Sequence, residues 1–76
     1  MRSAGFPVRI YLNDHAPPHV HVIGASGETK TALGKGAVGT FHLTNVGMIR
    51  SEAATTLRLV AENIELCRAC WKEIHG

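Results

Sequence analysis

No stretch of this sequence approaches the roughly 20 consecutive apolar residues needed to cross a bilayer, which excludes a helical membrane protein. Charge of one sign is also scarce: eight Lys/Arg stand against six Asp/Glu, a formal net charge of +2. A surplus that thin does not by itself indicate a nucleic-acid partner. Cysteine is limited to Cys67 and Cys70, so a zinc site built from two cysteine pairs is excluded. Residues 1–6 carry one arginine and no hydrophobic stretch, so no secretion signal is expected there. The expectation that follows is a cytoplasmic protein with free thiols. The sequence also lacks length. A chain of 76 residues allows one domain, and chains this short bury only ~60% of the surface they expose when unfolded. A multidomain enzyme and a deep interdomain cleft are excluded. A small metal site, a nucleic-acid surface or a partner module remain.

Apolar residues make up 45% of the chain and charged residues 18%, which fits a globular protein rather than a disordered one. Residues 8–12 alternate, with Val8, Ile10 and Leu12 on one side and Arg9 and Tyr11 on the other, as in a half-buried strand. Asn, Asp and two prolines make residues 13–18 a turn-forming loop. Strands are expected at residues 19–24, 28–33 and 40–44, with a turn at residues 24–27 and a glycine-rich connection at residues 34–39. From Ser51 the period changes. Leu57, Val60, Ile64, Cys67, Trp71 and Ile74 recur every three or four residues, the apolar stripe of one long amphipathic helix over residues 51–74 with Ser51 as N-cap. The expected fold class is α+β: a small antiparallel sheet of three to four strands against one long C-terminal helix. Arg9, Tyr11, His19, His21 and His42 are expected on the sheet face away from that helix.

Five histidines are many for this length, and residues 13–21 hold the one dense cluster of chemistry. His-x-His on a strand sets His19 and His21 on one face, a spacing that suits two ligands of one metal. Asp14 or His15 from the preceding loop supplies a third ligand and His42 a fourth; imidazole and carboxylate suit zinc, nickel or iron, all divalent transition metals. Such an ion with an open position activates water, with His15 as a candidate catalytic acid–base group. Against this stands a purely structural account. Asp14 caps its own turn, the prolines turn the chain, and the histidines are strand residues bonded to Tyr11, to the backbone or to a partner. Elsewhere, Cys67-x-x-Cys70 lies late in a helix, where the negative helix end disfavours a thiolate, so a buried Cys67 is expected rather than a redox pair. Residues 34–36 lack the rest of a phosphate-loop pattern.

Residues 8–22 closely resemble the N-terminal signature of the bacterial domain of unknown function 4160 family, whose members read as an aromatic and a polar residue, Asp-His, any residue, Pro-Pro-His, an apolar residue and His. Residues 54–71 resemble the family's C-terminal helix, which ends near a tryptophan. The chain departs from the pattern in its Gly- and Thr-rich residues 28–44 and in lacking a mid-helix tryptophan at residues 61–63. The recurrent residues of the family fall here on Asp14, His15, Pro17, Pro18, His19 and His21. The resemblance implies a small protein encoded beside a second one, from domain of unknown function 2442, in a pair that looks like a toxin–antitoxin or regulatory module.

Three functions are therefore carried forward. The first is a module of that two-gene kind acting on a small partner protein from the neighbouring gene, or on a second copy as a homodimer, through Arg9, Tyr11, His19 and His21. The second is a metal-dependent hydrolase or nuclease using Asp14, His19 and His21. The third is a DNA-binding regulator that reads with the same sheet face, which the low net charge supports least.

Overall fold

The computed structural model describes residues 2–35 and 39–76. Residues 36–38, in the middle of the expected glycine-rich connection, and residue 1 lie outside them. Five strands follow one another as a meander: β1 (Arg2–Ser3), β2 (Phe6–Arg9), β3 (His19–Ile23), β4 (Glu28–Ala32) and β5 (Phe41–Val46). All neighbours are antiparallel and the spatial order is the chain order. Two helices close the chain, α1 (Arg50–Glu62) and α2 (Ile64–His75).

Directly opposed residues of an antiparallel pair share a face. One face is therefore built from the rows Val8–Val22–Thr29–Asn45 and Val20–Thr31–His42. The helices lie on this side. Val8, Val20, Val22, Leu33, Val60 and Cys67 form the buried core, flanked by Phe6, Ile10, Ile64 and Trp71. The helical stripe was read correctly at Val60, Ile64, Cys67 and Trp71, but Ile74 is exposed, and Ala53 and Thr56 are buried as well.

The other face carries the rows Arg9–His21–Lys30–Thr44, His19–Ala32–Phe41 and Ile23–Glu28–Val46. Over His19 and His21 it is covered by residues 11–18, with Trp71 of α2 beside His19, leaving the two histidines only 3% and 8% exposed.

Four expectations change. A fifth strand appears because residues 2–7 fold into a tight hairpin, with Ala4 (φ +49°) and Gly5 (φ +86°) both in the left-handed region that a two-residue turn of this twist needs. The second strand stops at Arg9, so Leu12 leaves the sheet and is 84% exposed instead of packing under the helix. The expected single helix is two. Asn63 (φ −111°, ψ 25°) departs from helical geometry, and its Nδ2 donates to the Leu59 carbonyl at 2.8 Å and to Ser3 Oγ at 3.2 Å. A side chain that bonds its own helix backbone and the N-terminal hairpin fixes the break there. The N-cap is Ile49, one residue before the helix begins, so Ser51 sits in the first turn and caps nothing.

Leu33 is fully buried in the core cluster. Leu33→Ala is expected to lower the unfolding free energy by about 2–5 kcal/mol, read from the urea midpoint at constant slope. Leu12→Ala is expected to stay within about 0.5 kcal/mol of the parent.

Candidate metal centre

Asp14 is the pivot of the covering loop. Its backbone N–H donates to the Tyr11 carbonyl at 3.1 Å, closing a turn, and its Oδ2 accepts the Tyr11 N–H at 2.9 Å. The other oxygen, Oδ1, is left for the sheet. It stands 3.1 Å from His21 Nε2 and 3.4 Å from His19 Nε2. The capping role weighed from the sequence and the ligand role thus use different oxygens of one carboxylate. Burial alone would raise the Asp14 pKa, but the Tyr11 N–H and the two imidazoles outweigh it and hold the pKa below the usual value. The group is therefore an anion at neutral pH.

The imidazoles are oriented from behind. His19 Nδ1 is 2.8 Å from the Pro17 carbonyl. A carbonyl only accepts, so Nδ1 carries a proton, and Nε2 is the ring nitrogen on the Asp14 side. That Nε2 is buried and makes no hydrogen bond. The 3.4 Å to Asp14 is an ion-pair distance without hydrogen-bond geometry. His21 Nδ1 is 3.1 Å from Glu28 Oε2, so His21 has a carboxylate oxygen at each nitrogen. Two acceptors require either a doubly protonated ring or a cation in place of the Nε2 proton. Tyr11 and Trp71 hold the rings from the sides, with centroids 4.7 Å from His21 and 5.4 Å from His19 respectively.

Asp14, His19 and His21 each offer one ligand atom, and the three atoms lie within 4.8 Å of one another. Ligand atoms at about 2.0–2.2 Å from zinc stand about 3–4 Å apart, so small shifts close this trio on an ion. Two histidines that each donate their remote N–H to a carbonyl or a carboxylate are arranged as metal ligands are.

The fourth candidate ligand, His42, is elsewhere. It pairs with Thr31 on the helix-covered face. Its Nε2–H donates to the Ala53 carbonyl at 2.8 Å and its Nδ1 meets the Thr31 hydroxyl at 2.8 Å. The physical reason is register. In a strand one residue of offset flips the face, and pairing with Thr31 instead of Lys30 sends His42 inward. A bulge between Lys30 and Thr31 leaves Leu43 as an extra residue, so Thr44 returns to the outer face beside Lys30.

His15 is exposed and lines the mouth of a pocket of about 390 Å³ together with Asn13, Asp14, His19, Lys30 and Leu43. Arg9 lies on the outer face opposite His21. Cys67 is buried, and burial first and Cys70 second push its thiol pKa up, in keeping with a core role. Three contributors went unseen in the sequence: Glu28, Lys30 and the Pro17 carbonyl. The turn at residues 24–27 contained the signal for the first two, because its length sets His21 opposite Lys30 and Ile23 opposite Glu28.

A family model described as Domain of unknown function (DUF4160) matches residues 5–72. The chain belongs to that family. No curated protein and no solved structure matches it. Among the described residues no helix is long and apolar enough to cross a membrane. Family membership spans both the loop of Asp14 and the strand of His19 and His21, so the trio lies wholly inside the matched region.

His42 is expected to be structural. His42→Leu should destabilise the fold by about 1–3 kcal/mol, because it removes the buried bonds from His42 to the Thr31 hydroxyl and the Ala53 carbonyl, while metal uptake by the folded fraction stays at the parental stoichiometry. Thermal unfolding and metal analysis of the same preparation check both halves.

Proposed function

We propose that the protein is a small metal-dependent hydrolase in which Asp14, His19 and His21 hold a divalent transition metal. The observation that carries this reading is the buried, unbonded Nε2 of His19, 3.4 Å from the Asp14 carboxylate. A buried ring nitrogen close to a carboxylate oxygen, with no hydrogen bond between them, is an arrangement that a cation held by both would complete. Asp14, His19 and His21 would hold the ion, which would supply an activated water for hydrolysis. His15, exposed at the same pocket, would take up a proton from that water and deliver it to the leaving group, so that one water is consumed.

Zinc, nickel and manganese are offered in turn to chelator-treated protein, and bound metal is counted after desalting. About one ion per chain is expected for the parent and essentially none for His19→Ala/His21→Ala, with circular dichroism reporting that the variant is folded. Trp71, the single tryptophan, stands beside His19, so nickel binding should also quench its fluorescence in the parent alone. A folded parent that binds none of the three ions, or a double variant that binds as well as the parent, would sink the reading.

A second reading, a module that binds a small partner protein, is supported by β5. This strand is at the sheet edge, and among the described residues nothing pairs its outer side. It carries no Asp, Glu, Lys, Arg or Pro, the residues that usually protect an edge, and it exposes Phe41, Leu43 and Val46. Strand addition by the protein of the neighbouring gene fits such an edge. Co-expression of the two proteins is expected to give a complex that Leu43→Lys/Val46→Lys abolishes; survival of the complex in that variant removes the edge from consideration.

A further inference from the structure

The register of the outer face places Arg9, His21, Lys30 and Thr44 in one row, with the candidate metal ligand His21 between two cations. Lys30 is half-buried and lines the same pocket as Asp14, His15 and His19. Among the described residues neither Lys30 nor Arg9 forms an ion pair, whereas Glu28 is engaged with His21. A half-buried lysine outside any ion pair favours an anionic ligand.

We infer that the substrate of this site is a phosphate ester, held with one oxygen on the metal and another on Lys30. The inference rests on the metal reading above and deepens it. Counting charges around the pocket decides the class. A divalent ion and Lys30 bring three positive charges to that pocket, and Asp14 brings one negative charge. The surplus of two matches a phosphate dianion. A carboxylate would leave one positive charge uncompensated, and a neutral ester or amide would leave both. The tetrahedral phosphoryl group also has separate oxygens to give to the metal and to the ammonium, which acts as a point charge rather than a planar fork. The ion would supply an activated water: the new P–O bond would form from that water's oxygen, the ester P–O bond would break, and the departing alkoxide would take the water's proton by way of His15. Lys30 would neutralise charge on the phosphoryl oxygens during that exchange.

The test uses the whole chain loaded with cobalt(II), whose visible absorption reports on its ligands, and inorganic phosphate as the probe. Cobalt content is counted separately for every protein. Phosphate is expected to shift the cobalt spectrum saturably in the parent. Lys30→Met should bind the same amount of cobalt but need about tenfold to a hundredfold more phosphate, the loss of a charged hydrogen bond, and Lys30→Arg should recover most of the affinity. Full cobalt loading with no response to phosphate, or equal phosphate affinity in Lys30→Met and the parent, overturns the phosphate inference and leaves the metal site standing. A parent that takes up no cobalt overturns both.

Discussion

Two imidazoles stand on the sheet face opposite the main core, and they are nevertheless almost fully withdrawn from water. What withdraws them is the loop that Asp14 closes on itself, with Trp71 of α2 beside His19, and the rest of the site follows from that closure. One oxygen of Asp14 satisfies the backbone of its own turn, which holds the loop in place; the other is then presented to His19 and His21. Without the turn, the carboxylate would have no reason to stay buried. Without the histidines, its second oxygen would be unpaired. The same loop supplies the Pro17 carbonyl that accepts from His19 Nδ1, while the sheet supplies Glu28 for His21. A small chain thus assembles an oriented polar site without a cleft between domains.

The two faces of the sheet solve the burial of polar groups in different ways. On the helix side, Thr31, His42, the Ala53 carbonyl, Thr56 and Met48 form a connected set in which each hydroxyl and ring nitrogen finds a partner. That network is complete, and it links the sheet to α1. On the loop side the set is incomplete by one interaction, at His19 Nε2. Folded proteins leave few buried polar atoms unpaired, and those that remain tend to mark a missing ion, a water or a function. The contrast between one satisfied and one unsatisfied histidine network, two strands apart, is why the functional reading is placed on the outer face. The edge strand β5 borders that face as well, so partner binding and chemistry would share one surface.

The sequence by itself determined the strand-forming segments, the apolar stripe of the C-terminal helices and the membership of Asp14, His19 and His21 in one cluster. These are local properties. Alternation with a period of two sets His19 and His21 on one face whatever their neighbours do, and three- and four-residue spacing makes an apolar stripe in any helix. The loop that joins Asp14 to the strand is short enough that proximity in sequence became proximity in space.

Only the tertiary structure decided what depends on long-range pairing. The place of His42 is set by which β4 residue it opposes, and a strand offset by one residue carries the opposite side chains. A bulge compounds this at Leu43. The break at Asn63 depends on Ser3, 60 positions away, so helical periodicity alone ran through it. The roles of Glu28 and Lys30 required the hairpin register, which turns two ordinary charged strand residues into the support of one imidazole and the neighbour of a pocket. Nor did a pattern of residues indicate that the histidine face is covered by a loop rather than open to solvent. Burial is a property of the folded surface, and it separates a row of solvated imidazoles from a buried, oriented cluster.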